Sequence, residues 1–216
     1  MRKILLLLTL ALFATGAMAD VFVTVYQNIP NPNDASDPNN YASSLANATF
    51  NSSAINFAIN DSNSTSLNTF LNNPTYLTTN NGFDGTANTD NSELVITGTI
   101  GLLSGNNSFV VGHDDGVALE IPGIGSGDCN GHGYTDTVLC DPGPTAFVNT
   151  PFNVNNPGAA GNFAFTLYYA ECCGGPADLL FEVNDITVGS VPEPASLVLF
   201  GSGVLAIATR LRKRKI

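Results

Sequence analysis

The chain has 216 residues, with 7 Lys or Arg against 18 Asp or Glu, and a formal net charge of −11 at neutral pH. Every Lys and Arg lies at positions 2–3 or 210–215, and Glu193 is the one acidic residue outside residues 20–190, so this middle region carries 17 acidic residues and no Lys or Arg. A region without cationic side chains lacks the groups that bind nucleic acid phosphates or anionic lipid surfaces, which excludes both as its direct partners.

The N-terminus has the three parts of a secretory signal peptide. Arg2 and Lys3 precede an apolar stretch, and Ala17 and Ala19 supply the small residues that signal peptidases require. We therefore expect residues 1–19 to be removed before Asp20 and the chain to be exported.

Residues 27–91 are rich in Asn, Ser and Thr, with "NIPNPNDASDPNN" typical of a loop. Short apolar patches interrupt this polar region, and we expect some of them to be strands and "SLNTFLNN" to be a helical turn. Aromatic residues recur through the region and favour anchoring to a core over disorder: Phe50, Phe57, Phe70, Tyr76 and Phe83.

From Ser92 onwards the sequence reads as a series of short β-strands. In "NFAFTLYYAE" the residues Phe163, Phe165, Leu167 and Tyr169 alternate with a second set, which predicts a half-buried strand. Strands separated by Gly, Pro and Asn, without a long amphipathic helix, predict an all-β fold, an antiparallel β-sandwich over residues 20–190 with its best-supported core at 92–188.

The most informative internal stretch is "NNSFVVGHDDGVALEIPG", followed about fifty residues later by "AGNFAFTLYYAECCGGPADLLFEVN". This pairing of an Asp-Asp-Gly turn with a later Tyr-x-Glu strand resembles the protective-antigen-type β-sandwich shared by fungal flocculins and the fibro-slime domain. The residues that carry the resemblance are Phe109, Asp114, Asp115, Gly116, Leu119, Gly161, Phe163, Leu167, Tyr169, Glu171 and Leu179–Phe181. Pro122 departs from it, because the family often has Asp there.

The resemblance implies a metal site at the turn. Lectins of that family hold Ca²⁺ on the acidic pair, which corresponds here to Asp114 and Asp115, and the ion then binds sugar hydroxyls. Carboxylate oxygens are the hard ligands that Ca²⁺ prefers. The alternative is a purely structural turn, in which the Asp oxygens accept backbone N–H bonds.

A weaker calcium candidate lies in "DCNGHGYTD". Asp128, Asn130 and Asp136 occupy positions 1, 3 and 9 of a calcium-loop pattern, but His132 stands at position 5 and Leu139 at position 12. The alternative is a Gly-rich insertion closed by a disulfide.

Four cysteines in an exported chain predict two disulfides. Cys129 with Cys140 would close a short loop and leave the adjacent Cys172 and Cys173 to pair with each other. The other arrangement, slightly favoured because a bridge between adjacent cysteines is strained, joins each of Cys172 and Cys173 to one member of the first pair. The spacing does not match a zinc site.

The C-terminus has three parts: the rigid segment Val191, Pro192, Glu193 and Pro194, an uncharged stretch at 195–209, and a basic tail at 210–216. A helix of 15 residues is about 22 Å long, which is short for a bilayer core of about 30 Å. This order resembles the PEP-CTERM sorting signal of Gram-negative bacteria. The resemblance implies a transmembrane helix that anchors the exported protein transiently in the inner membrane, processing by an exosortase, and a link to exopolysaccharide and biofilm.

We expect a binding protein rather than an enzyme. The chain has two histidines, His113 and His132, no Gly-x-Ser-x-Gly motif, and no Lys or Arg in the middle region to stabilise an oxyanion. The leading hypothesis is Ca²⁺-dependent recognition of extracellular polysaccharide at the cell surface or in the extracellular matrix. The alternative is a structural matrix protein without a specific ligand.

Overall fold

A computed structural model describes residues 20–30, 32–41, 45–58, 66–74, 77–174 and 177–189. The predicted signal peptide, the sorting segment with its helix at 195–209, and Tyr76 lie outside the described residues. Contacts group Ala19–Ser190 into one compact unit. The α-helix seen within the described residues, α1 (Leu67–Phe70), has only four residues, and none of the helices described there is long and apolar enough to cross a membrane.

The described chain is built almost entirely from strands, which pair antiparallel throughout. The strands are β1 Val21–Gln27, β2 Ala48–Ser52, β3 Asn56–Ala58, β4 Thr79–Asn80, β5 Ser92–Leu102, β6 Gly105–His113, β7 Gly116–Glu120, β8 Thr137–Asp141, β9 Val148–Asn156, β10 Gly161–Glu171, β11 Asp178–Val183 and β12 Ile186–Thr187.

These strands form two sheets. The first, sheet A, has the order β4-β2-β1-β5-β10-β7-β8, and the second, sheet B, has the order β12-β11-β6-β9 with β3 also paired to β11. Because β6 lies in sheet B and β7 in sheet A, the connection between them crosses from one sheet to the other at His113–Gly116. The predicted all-β antiparallel sandwich is therefore confirmed.

The core lies between the two sheets and is rich in aromatic rings. Phe165 of sheet A packs edge-on against Phe181 of sheet B, with ring centroids 5.5 Å apart. Phe70 of α1 bridges Phe57 and Tyr169, at 5.9 and 5.7 Å. Phe50, Phe57 and Phe70 are buried, as the aromatic placement in the polar N-terminal region predicts.

The sandwich extends further toward the N-terminus than the best-supported core predicted at 92–188. Strand β1 begins directly after Asp20 and lies between β2 and β5 in sheet A. Its inward residues Val21, Val23 and Val25 are fully buried, because the alternation of this strand matches that of β5. The domain therefore needs the segment that follows the predicted signal cleavage site.

Strand β10 is buried on both faces at its C-terminal end, where the sequence pattern predicts burial of one face. Phe165, Leu167 and Tyr169 face the core, while Tyr168 and Ala170 on the other face are also buried. A second cluster covers that face, formed with Ala35, Tyr41 and Tyr134 from two long loops. Period-two alternation identifies the core face of a strand but not a loop that returns over the opposite face.

Candidate functional site

The Asp-Asp-Gly turn connects β6 to β7 at one end of the sandwich. Asp115 has a φ of 64°, in the left-handed region that a non-Gly residue adopts only when its surroundings hold it there. A Cβ atom at Gly116 would overlap the backbone carbonyl of Pro142, so the third position of the motif has to be glycine.

Asp115 is held through its backbone and its side chain. Its N–H donates to the carbonyl of Thr145 (2.9 Å), and its own carbonyl accepts a bond from Nδ1–H of His113 (2.7 Å). Its Oδ2 accepts the N–H groups of Cys172 (2.8 Å) and Cys173 (3.3 Å). These contacts tie the turn to the segment that follows β10.

Three carboxyl groups meet at this turn. Asp114, Asp115 and Glu171 each place an oxygen so that these atoms lie within 4.8 Å of one another, and the three side chains are 6%, 5% and 0% exposed. Glu171 is the last residue of β10 and faces inward in the same series as Leu167 and Tyr169. The structure therefore brings the two sequence-predicted aspartates together with a third acid.

Only one of the two carboxyl oxygens of Glu171 has a hydrogen-bond partner. Its Oε2 accepts a hydrogen bond from the hydroxyl of Tyr169 (2.7 Å), while Oε1 is buried without a hydrogen-bond partner. A buried unpaired carboxyl oxygen costs about 1–3 kcal/mol, a cost that a proton on Glu171 or a bound cation relieves.

Burial and repulsion from neighbouring carboxyl groups raise the pKa values of Asp114 and Glu171. Burial is the larger cause for Asp114, whose pKa rises to about 6, and the neighbouring Asp115 adds to it. Burial raises the pKa of Glu171 to about 8, against the opposing hydrogen bond from Tyr169. No Lys or Arg occurs in residues 20–190 to relieve this repulsion, so the charged form needs an external cation.

His113 serves the turn rather than a reaction. It is fully buried, with Nδ1–H donating to the carbonyl of Asp115 and Nε2 lying 3.2 Å from the hydroxyl of Thr150. Both ring nitrogens are thus engaged within the protein.

The second candidate loop does not gather its predicted ligands into one carboxylate cluster within the described residues. The carboxylate of Asp128 accepts the N–H groups of Gly133 and Tyr134, and Asp136 accepts that of Gly123. Asn130 donates instead to Asp34 at 2.8 Å. In this structure the three residues stabilise the conformation of a loop.

The four cysteines form two disulfides, as predicted, but the favoured pairing was wrong. Cys129 bonds to Cys140, and the adjacent Cys172 and Cys173 bond to each other. The physical reason is that Cys129 lies beside Cys140 of strand β8, with Cα atoms 5.4 Å apart, whereas Cys172 and Cys173 lie in the turn beside Asp115. That second pair also places its sulfur atoms within 4.8 Å of an Asp115 oxygen.

Glu171 is the site residue that the sequence analysis did not assign to the site. The signal was available in the alternation of β10, which places Glu171 on the buried face two residues after Tyr169. An acid on the core face of a strand needs a partner, and the next residues along the chain do not supply a cation.

Comparisons with known proteins address the C-terminus and the fold. The model of the PEP-CTERM protein-sorting motif matches residues 190–214. Such a motif indicates export, membrane anchoring before processing, and processing by an exosortase. No curated protein matches this sequence.

Solved structures resemble the domain at low sequence identity. The PA14 domain of the antifreeze protein MpAFP superposes with a TM-score of 0.57 at 19% identity, covering 78% of this chain and 83% of that one. The Epithelial Adhesin 9 A domain from Candida glabrata, in complex with Galβ1-4GlcNAc, gives 0.50 at 10% identity, covering 79% and 88%. A PA14 sugar-binding domain from an RTX adhesin gives 0.49 at 21% identity, covering 77% and 90%. The chain therefore carries a PEP-CTERM protein-sorting motif at its C-terminus, preceded by a domain with the PA14-type β-sandwich fold.

Proposed function

We propose that this protein is exported, sorted through its C-terminal motif, and binds glycan at the cell surface through Ca²⁺ held by Asp114, Asp115 and Glu171. The observation that carries the proposal is the meeting of three buried carboxyl groups in a domain without Lys or Arg. Such a cluster is stable in its charged form only when a cation is shared among its members.

The residues present fit a calcium ion. Ca²⁺ takes six to eight oxygen ligands, and the buried Glu171 Oε1 without a protein partner is a ready donor. Asp114 and Asp115 supply two further carboxylates from the same turn, with an oxygen of each within 4.8 Å of Glu171. When bound, the ion supplies a hard centre whose remaining positions accept hydroxyl groups or water.

The glycan part of the proposal is supported by fold likeness and by the edge of the site. The Epithelial Adhesin 9 A domain, which shares the fold, was solved with a disaccharide. Phe147 and Cys173, which flank the acidic turn, are exposed and give a sugar ring apolar surface to contact. Because the middle region has no cationic side chain, we expect a neutral sugar with adjacent hydroxyl groups, contacted through the ion.

The sorting motif gives this binding activity a location. We propose that the basic tail stays cytoplasmic, that residues 195–209 hold the exported chain briefly in the inner membrane, and that an exosortase then removes the anchor. The processed protein would bind exopolysaccharide at the surface of a Gram-negative cell or in its biofilm. We propose that the protein binds this polysaccharide and does not catalyse a reaction on it.

A structural matrix role is the second candidate, and one contact favours it. Asp115 Oδ2 already accepts two backbone N–H groups, as the side chain of a purely structural turn does. On this hypothesis Asp114–Gly116 fixes the crossing between the sheets and no ligand is needed.

Thermal unfolding of the exported chain, purified in detergent, separates the two. We expect Ca²⁺ at one hundred times its dissociation constant to stabilise the wild type by about 2.7 kcal/mol, and Mg²⁺ or a chelator not to. Asp114→Asn/Asp115→Asn should lose this response, while Glu182→Gln/Asp185→Asn, which removes two charges from the β11–β12 hairpin, should keep it. An equal rise in both variants indicates general charge screening, and no rise in the wild type favours the structural role.

A further inference from the structure

The Cys172–Cys173 disulfide lies against the acidic cluster. The pair directly follows Glu171, and its sulfur atoms lie within 4.8 Å of an Asp115 carboxyl oxygen. The two N–H groups of the pair both donate to Asp115 Oδ2, at 2.8 and 3.3 Å. The turn at Cys172 and Cys173 is thus joined covalently to Glu171 and by hydrogen bonds to Asp115.

We propose that Cys172 and Cys173 are positioning residues of the cation site, and that their disulfide makes cation affinity depend on the thiol redox state of the surroundings. This inference rests on the proposed function, because it concerns the same carboxylates. A bond between adjacent cysteines restricts the backbone at both residues, so their N–H groups stay directed at one acceptor. Because both N–H groups donate to Asp115 Oδ2, they fix the orientation of the Asp115 carboxylate.

The backbone of Asp115 is already held in place, so a change in the disulfide would alter the orientation of its side chain. Its N–H and carbonyl are held by Thr145 and His113, and its left-handed φ of 64° leaves little backbone freedom. Reduction of the disulfide frees the following turn, so the carboxylate loses the two donors that orient it. A metal site whose ligand is no longer held in place binds its ion more weakly, because ordering the ligand then costs free energy at binding.

The Cys172–Cys173 disulfide is also accessible to solvent. Cys173 is exposed and Cys172 half-buried, and in the other disulfide Cys140 is exposed while Cys129 is 1% exposed. A dithiol reductant can therefore reach the Cys172–Cys173 bond. In that exchange the reagent is oxidised to its own disulfide, and Cys172 and Cys173 take up its two electrons and two protons as thiols.

The test compares the two disulfides in the exported chain purified in detergent, with Ca²⁺ alone as the probe. Calorimetry should show Ca²⁺ affinity at least tenfold lower in Cys172→Ser/Cys173→Ser than in the wild type. The matched control, Cys129→Ser/Cys140→Ser, should keep its affinity within about twofold. Without Ca²⁺, amide hydrogen exchange should speed up at Cys172 and Cys173 in the first variant and not in the control.

Brief treatment of the wild type with a dithiol provides a second route that does not depend on folding of a variant. Mass spectrometry should locate the two new thiols at Cys172 and Cys173, with the same fall in Ca²⁺ affinity and recovery on reoxidation. If the wild type binds Ca²⁺ and its affinity is unchanged both after reduction and in Cys172→Ser/Cys173→Ser, this inference is wrong while the proposed function stands. A wild type that binds no Ca²⁺ overturns the proposed function, and this inference with it.

Discussion

At the scale of single residues, Glu93 is a buried acid outside the candidate site. It lies between Tyr26 and Ala170 in the register of sheet A and is fully buried. Neither carboxyl oxygen has a hydrogen bond of normal geometry, since the nearby Asn40 amide donates to the carbonyl of Asp34. Burial raises the pKa of Glu93 to about 9, so it is protonated at neutral pH.

This burial predicts the pH dependence of stability. A raised pKa in the folded state leaves stability highest below about pH 4.5, the ordinary value for Glu, and lowers it as pH rises toward 9. Glu93→Gln, which cannot ionise, should therefore raise the free energy of unfolding by about 1–3 kcal/mol at pH 8 and change it little at pH 4. Urea unfolding at the two pH values measures this, with the half-exposed Glu182→Gln as control. A gain of equal size at both pH values would contradict the assignment.

Tyr169 is the residue that orients Glu171. Its hydroxyl is the one donor seen on that carboxyl group, and both residues are fully buried. Tyr169→Phe should lower the free energy of unfolding by about 1–3 kcal/mol without Ca²⁺, because Glu171 then has no protein donor.

A matched tyrosine on the same strand provides the control. Tyr168 donates to Glu120 at 3.2 Å on the other face, where Glu120 is only half-buried, so Tyr168→Phe should cost less. Chemical unfolding measures the loss of unfolding free energy in each variant. Equal losses in Tyr169→Phe and Tyr168→Phe would contradict the role of Tyr169.

At the scale of elements, the strands after Ser92 were predicted best because each has its own local pattern. The predicted strand "NFAFTLYYAE" matches β10 to within one residue. Strand β8, Thr137–Asp141, was not predicted; it pairs with β7 and contains Cys140, which is bonded to Cys129. Val138, Leu139 and Cys140 are consecutive apolar residues, so period-two alternation does not identify this strand.

The candidate site was only partly predictable for the same reason. Asp114 and Asp115 are adjacent, so a short motif reveals them, whereas Glu171 reaches them only because β10 pairs with β7 in sheet A. The pairing of the cysteines likewise follows from which loop each occupies, which spacing alone does not specify. Contacts between distant segments need the topology of the sheets.

The two disulfides should contribute unequally to the free energy of unfolding, because only the Cys129–Cys140 bond closes a loop. The Cys129–Cys140 bond closes a separation of 11 residues and holds Tyr134 at 5.3 Å from Tyr168, so its removal should cost about 2–3 kcal/mol. The bond between adjacent Cys172 and Cys173 closes no loop of this kind, so its removal should cost less than about 1 kcal/mol. Unfolding of the two double-serine variants without Ca²⁺ measures both values, and the reverse order would contradict this account.

At the scale of the whole molecule, the charge distribution connects the fold to the proposed function. Residues 20–190 carry 17 acids and no Lys or Arg, so repulsion among carboxylates opposes folding and is relieved by protons, salt or a bound cation. Most of these acids lie on the surface, where dissolved salt screens them. The buried acids at the Asp-Asp-Gly turn are screened much less, which gives a specifically bound ion its advantage.

The membership of Glu171 in a calcium site with Asp114 and Asp115 is the central claim, and direct calorimetry of Ca²⁺ binding tests it most sharply. We expect one Ca²⁺ bound per exported chain, with affinity reduced at least tenfold in Glu171→Gln and in Asp114→Asn/Asp115→Asn, and unchanged in Glu182→Gln. Absence of Ca²⁺ binding to the wild type, or unaltered binding in Glu171→Gln, would contradict it.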